Sequence, residues 1–200
     1  MKKITKFILI VISLCLPVLA DIPTVPLSEL KSTAKHEKAV EIITHIIDAY
    51  HYRKKPLDDK LSSQMLDNYL KSLDQNHSFF TLSDINEFES YRYELDNALN
   101  KPDLSPAFVM FKRYRQRINE RVEFAVKTLE SDFDFSLDEE YQFDRRESKW
   151  ASDKQALNEL WRKRIKNDYL SLLLTDKKEE EIKLIKTNRS KLIKTNRKDK

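Results

Sequence analysis

Residues 105–129 read SPAFVMFKRYRQRINERVEFAVKTL. Ser105-Pro106 is a helix start. A capping hydroxyl is followed by proline at the first helical position, where a missing N–H costs nothing. Behind it Phe111, Tyr114, Ile118, Val122, Ala125 and Leu129 step by three and four, the spacing that lines one face of an α-helix. No glycine interrupts this stretch, and none occurs anywhere in the 200 residues, where ordinary usage is about 7%. Phosphate-cradling loops, dinucleotide fingerprints and nucleophile elbows all need glycine for backbone that a side chain forbids. Tight two-residue hairpins favour it as well. The sequence therefore predicts an all-α fold joined by proline, aspartate and asparagine turns. It argues against a self-contained enzyme of those glycine-dependent classes.

The same period extends in both directions. A helix is expected from near Ala34 to Tyr52, with Val40, Ile43 and Ile47 on one face and Ile42, Ile46 and Tyr50 flanking it, ended by Pro56. Asp58 is placed to cap a second helix carrying Leu61, Met65, Leu66, Tyr69, Leu70 and Leu73. Asp74 to Ser78 reads as a polar turn. Ser83 then caps a third helix carrying Ile85, Phe88, Leu95 and Leu99. Between residues 132 and 144 the period falls to two, with Phe133, Phe135 and Leu137 and then Tyr141 and Phe143 alternating with polar residues. That predicts extended chain and at most one short strand pair. A helix resumes near Asp153 with Leu157, Leu160, Trp161, Ile165 and Leu172.

The ends differ from the body. Lys2, Lys3 and Lys6 precede an apolar run from Phe7 to Leu16, and Pro17 and Val18-Leu19-Ala20 follow. This is the pattern of a cleavable secretory signal, with cleavage expected after Ala20, and the run is short of the roughly 20 residues a membrane span needs. Cleavage would remove Cys15, the one cysteine, leaving no thiol chemistry and no disulfide. The net charge is +4, of which residues 1–20 carry +3 and residues 182–200 carry +7, so residues 21–181 carry −6. An acidic body with a basic tail argues against a general nucleic-acid binder. Lys183-Leu-Ile-Lys-Thr-Asn-Arg189 recurs as Lys191-Leu-Ile-Lys-Thr-Asn-Arg197. The period of eight is not a coiled-coil heptad and reads as a local duplication. Asp176 with Glu179 makes a capping-box pattern before it. Three segments are expected: a signal over 1–20, one helical domain over 21–181, and a basic tail over 182–200 able to make weak peripheral contact with anionic lipid.

Little in the body suggests chemistry. His36, His45, His51 and His77 lack metal-binding spacing and read as exposed or capping residues. The pairs Asp58-Asp59 and Glu139-Glu140 read as a cap and as solvated surface. No cofactor, metal site or catalytic residue is implied.

One colinear series is specific: His51-Tyr52-Arg53, Leu57-Asp58, Asp67-Asn68-Tyr69-Leu70, Leu73-Asp74, Phe80, Ser83-Asp84-Ile85-Asn86-Glu87-Phe88. It continues with Asp144-Arg145, Trp150, Asn158-Glu159-Leu160-Trp161 and Lys166-Asn167-Asp168-Tyr169-Leu170. From Lys35 to Glu181 this order resembles the N-terminal helical domain of the periplasmic tail-specific, or C-terminal processing, serine proteases of peptidase family S41. The basic repeat departs from that pattern. The resemblance implies secretion to the periplasm and, in full-length members, a PDZ domain and a Ser–Lys protease domain that cut proteins after recognising an apolar, unstructured C-terminus. Those parts are absent here, so this chain is expected to be a truncated, non-catalytic portion that packs against them. A free-standing secreted helical adaptor that binds a periplasmic protein is the alternative. By resemblance, Tyr52, Asp58, Tyr69, Asp74, Trp150, Trp161 and Asp168 are the candidate domain-contact residues. From the residues alone, Asp58 could equally be only a cap and Trp161 only core.

Overall fold

Several helices among the described residues begin where a short polar side chain satisfies a backbone N–H group that has no intrahelical partner. The computed structural model describes residues 25–50 and 56–174. Within them run six α-helices: α1 (Ala34–Tyr50), α2 (Asp59–Leu73), α3 (Leu82–Phe88), α4 (Leu95–Asn100), α5 (Ser105–Leu129) and α6 (Lys154–Leu174). Asp58 caps α2 as expected, its Oδ1 accepting from Leu61 N–H at 2.8 Å. Asp153 does the same for α6 through Ala156 N–H at 2.8 Å. The signal segment, Tyr52 and the basic tail lie outside the described residues.

Two expected starts are displaced. The cap of α3 is Thr81, not Ser83: Thr81 and Asp84 form a reciprocal capping box. At α5, Ser105 is already helical. Leu104 occupies the cap position without a side-chain bond, and Asp103 Oδ1 accepts from Ser105 N–H at 2.8 Å instead. The long third helix expected through Leu99 is broken after Phe88 by a 3₁₀ turn at Glu89–Tyr91, and α4 restarts at Leu95. The break has a local cause. Arg92 forks onto Glu89 and also reaches Ser63 and Asp67 on α2, while the buried Ser62 hydroxyl accepts from Leu95 N–H at 2.9 Å. These bonds to α2 replace helix continuation.

The core lies in two clusters. The larger gathers Leu66, Leu70, Phe80, Ile85, Phe88, Leu95 and Met110 from α2, α3, α4 and the start of α5. The smaller gathers Ala125, Leu129 and Ile165, with Phe124, Trp161 and Tyr169 packed against it. With 25 residues, α5 is roughly 37 Å long at 1.5 Å per residue. It is the spine that both clusters share. α1 packs near α4 yet buries none of its own residues, and Ile43 stays 56% exposed.

The strand pair expected in residues 132–144 does not form. The segment is irregular, with a turn at Phe135–Ser136, and among the described residues the only β-bridge is Thr81 with Ala151, where Leu82 N–H donates to the Ala151 carbonyl at 2.8 Å. The two-residue alternation serves a helix instead. Phe133 and Phe135 both meet the Tyr169 ring of α6, at 5.5 and 6.2 Å.

This burial pattern sets a contrast in stability. Phe88→Ala should cost about 3–5 kcal/mol in urea unfolding followed by circular dichroism. Ile43→Ser with Ile47→Ser should change it by less than about 0.5 kcal/mol. A large loss from the isoleucine pair would mean that α1 is part of the core.

Candidate functional site

The turn between α2 and α3 is the point where distant parts of the chain converge. Asp74 follows the last residue of α2 and is buried. Its Oδ1 accepts from Ser78 N–H at 2.8 Å, and its Oδ2 accepts from Phe79 and Phe80 N–H at 2.8 and 3.0 Å. Three backbone donors are thereby satisfied in a reversal that forms no ladder. Within it His77 sits at φ 48°, the left-handed region that glycine would normally take.

The turn is gripped from two sides. The His77 ring stacks on Trp150 with centroids 3.6 Å apart, and its Nδ1 lies 2.5 Å from the Ser148 carbonyl. A carbonyl only accepts, so that nitrogen carries the proton. From α6, Trp161 Nε1–H donates to the Ser78 carbonyl at 2.6 Å. Phe79 meets Trp161 and Tyr114, with centroids 5.6 and 5.5 Å away. One reversal, Asp74 to Phe80, thus joins α2, α5, α6 and the segment before α6.

Two charge clusters flank it. Asp84, 0% exposed, accepts from Thr81 N–H and from the guanidinium groups of Arg113 and Arg117 at 2.5 to 2.9 Å. Burial alone would raise its carboxyl, but the hydrogen bonds from Arg117, Thr81 and Arg113 outweigh burial and hold it at about 2. Glu139 binds Arg162 and, at 2.5 Å, the ammonium of Lys166. Those two partners lower its carboxyl to about 2. Glu139 is therefore not the solvated surface acid expected from its pairing with Glu140. Next to these, Arg121 is buried between α5 and α6. It donates to Asn158 Oδ1 at 2.7 Å and lies over the Phe124 ring. Burial lowers its pKa.

Of the seven residues singled out from the sequence, the structure brings three together: Asp74, Trp150 and Trp161. Tyr69 lies apart, its hydroxyl donating to the Ala107 carbonyl at 3.1 Å. It lines an apolar cavity of about 430 Å³ with Met65, Leu99, Pro106 and Met110. Asp58 is an exposed cap. Asp168 is exposed and 4.0 Å from Arg164. Tyr52 falls outside the described residues. Asp84 with Arg113 and Arg117 was missed, although Thr81-x-x-Asp84 is a capping-box pattern and the two arginines are four residues apart on one helix face. Among the described residues no group of three His, Cys, Asp or Glu side chains is placed to hold a metal. None of their helices is long and apolar enough to cross a membrane.

This convergent turn, with its helices, falls within a match to a known family. A sequence model for the tail specific protease N-terminal domain matches residues 43–200. The chain belongs to the tail-specific protease family. A relative named tail-specific protease, from Haemophilus influenzae, is 36% identical over 185 residues, covering 90% of this chain and 27% of that protein. The chain thus spans little more than a quarter of the relative's length. The family match begins inside α1 and takes in the repeat-bearing tail.

Two outcomes test the site. Trp161→Ala should cost several kcal/mol, about 3–5, while Trp161→Phe should lose chiefly the bond to Ser78, about 1 kcal/mol. Equal losses in denaturant unfolding would show that the indole N–H contributes nothing. The acid limb tests Asp84. A carboxyl depressed on folding stabilises above its unfolded value, about 3.9, and that stability is lost as pH falls toward 2. Asp84→Asn should destabilise by roughly 3 kcal/mol at pH 7, because two arginines lose their shared carboxylate. It should also flatten the pH dependence of stability between 4 and 2; an unchanged acid limb would refute this assignment.

Proposed function

We propose that this chain is the N-terminal, non-catalytic portion of a periplasmic tail-specific serine protease. In this reading it packs against the PDZ and protease parts and helps present a substrate or partner to them. Membership of the family supports the reading, as does the small share of the relative that the chain covers. Lys2, Lys3, Lys6, the apolar run to Leu16 and Ala20 support delivery to the periplasm.

The observation that carries the packing role is α1. Ile42, Ile43, Ile46, Ile47 and Tyr50 are all exposed on one helix that buries nothing. A contiguous apolar surface of this kind marks a protein contact. The stacked and hydrogen-bonded turn at Asp74 gives that helix a rigid body to project from.

The test is reconstitution in trans. The part of the Haemophilus influenzae tail-specific protease that this chain does not match is mixed with this chain, and binding is followed by sedimentation. Hydrolysis of a peptide with an apolar C-terminus is followed in parallel. This chain alone should cleave nothing. It should bind the catalytic part, and Ile43→Asp with Ile47→Asp should weaken binding at least about tenfold, since each buried isoleucine contributes on the order of 1–2 kcal/mol. Cleavage by the chain alone, or binding indifferent to both substitutions, would overturn the proposal.

A further inference from the structure

A second apolar surface lies along α6, and its surroundings say what covers it. The segment 130–140 runs along α6, meeting Tyr169 through Phe133 and Phe135 and then Arg162 and Lys166 through Glu139. Phe135 and Leu137 remain exposed on it, at 42% and 56%, and Leu170 and Leu173 of α6 are exposed as well. Scattered single exposures need no explanation, but four on one ribbon and the adjoining helix end form a patch.

The ribbon side of that patch carries one sign of charge. Glu130, Asp132, Asp134, Asp138, Glu139 and Glu140 lie in these eleven residues, with no lysine, arginine or histidine among them. Glu139 is matched by Arg162 and Lys166. Glu130, Asp132, Asp134, Asp138 and Glu140 are exposed. The ribbon already accepts a cation on an aromatic face, because the Lys166 ammonium lies 5.8 Å from the Phe135 ring centre. Its complement is therefore a segment that carries both positive charge and aliphatic side chains.

One segment of this chain has that composition and lies within reach. Residues 182–200 hold eight basic side chains against one acid, interleaved with Leu184-Ile185 and Leu192-Ile193. Eight residues, nine chain steps, separate Leu174, the end of α6, from Lys183. They span at most about 30 Å, so the tail can return over the ribbon. The exposed face of α1 is a poorer match, since Glu37, Glu41 and Asp48 there alternate with Lys35 and Lys38.

We propose that the basic tail, residues 182–200, folds back on the acidic aromatic ribbon 130–140 of its own chain. Its lysines and arginines pair with Asp132, Asp138 and Glu140, and its Leu-Ile pairs cover Phe135, Leu137 and Leu173. The inference does not depend on the packing role proposed for α1.

Zero-length carbodiimide crosslinking of the full chain tests it. After crosslinking at low salt, monomer and dimer are separated and linked peptides are identified by mass spectrometry. Links from Lys183, Lys186, Lys191 or Lys194 to Asp132, Asp138 or Glu140 are expected in the monomer. Their yield should fall about tenfold in 1 M salt, where charges are screened beyond roughly 3 Å. No such links, or links as abundant to Glu37 and Glu41, would overturn the proposal. Links confined to the dimer would overturn it in favour of a second copy's tail. Hydrogen exchange gives an independent readout on a folded variant. K183E/K186E/K191E/K194E should speed exchange in residues 132–140 several-fold, and unchanged exchange there would also overturn it.

Discussion

A chain without glycine has to find another way to reverse direction, and the carboxylate of Asp74 is that way. His77 takes a left-handed backbone angle that costs a non-glycine residue of order 1 kcal/mol or more. Three N–H bonds to one buried carboxylate offset that cost. They also turn a local strain into a fixed point. Because Asp74 holds the backbone at 78–80, the Ser78 carbonyl is presented to Trp161, and Phe79 and Phe80 are set against Tyr114 and Phe88. The relation of α6 to α2 therefore passes through a polar turn rather than through direct helix packing.

The long α5 solves a related problem of charge. It carries Arg113, Arg117 and Arg121 at spacings of four, so all three lie along one face. Burying such a row would be costly if each charge stood alone. The first two share Asp84, with Glu87 and Glu120 as outer partners. Arg121, deepest of the three, has a neutral amide and an aromatic face instead of a carboxylate. The Asn158 bond and the Phe124 ring offset its burial only in part, since its Nε is buried without a hydrogen-bond partner, and the same row fixes the rotation of α5 about its axis. That rotation presents Met110 to the first core cluster and Ala125 and Leu129 to the second.

Much of this was legible from periodicity. Steps of three and four located α1, α2, α5 and α6, and Asp58 and Asp153 marked two of their starts. Local patterns failed where a distant residue decided the outcome. The break after Phe88 depends on Ser62 and Asp67, some thirty residues earlier, and no window around Leu95 contains them. Phe133 and Phe135 alternate as a strand would, but their partner is Tyr169 on a helix. At the candidate site, Asp74 and Trp161 were both recognisable by resemblance. That the Ser78 carbonyl joins them was not, because a backbone atom has no sequence pattern. Asp84 was hidden for the opposite reason, since a capping acid and a buried ion partner look identical in a sequence.

Apolar burial is distributed unevenly along this molecule, and the unevenness follows from what holds it together. The middle of the chain, from Ser62 to Ile165, contains every fully buried hydrophobic residue among those described, together with Asp74, Asp84 and Arg121. Polar networks of that kind specify one arrangement and tolerate little change. With orientation fixed there, the outer elements need not contribute core. α1 keeps a row of isoleucines in solvent, and the end of α6 keeps Leu170 and Leu173 there beside Phe135 and Leu137. An exposed isoleucine or leucine forgoes on the order of 1 kcal/mol or more of burial, so leaving these uncovered lowers the stability of the domain by itself. The same side chains, covered by another surface, recover that free energy as affinity. A rigid, polar-pinned centre with apolar outer helices is thus built to hold its shape before its outer surfaces are covered.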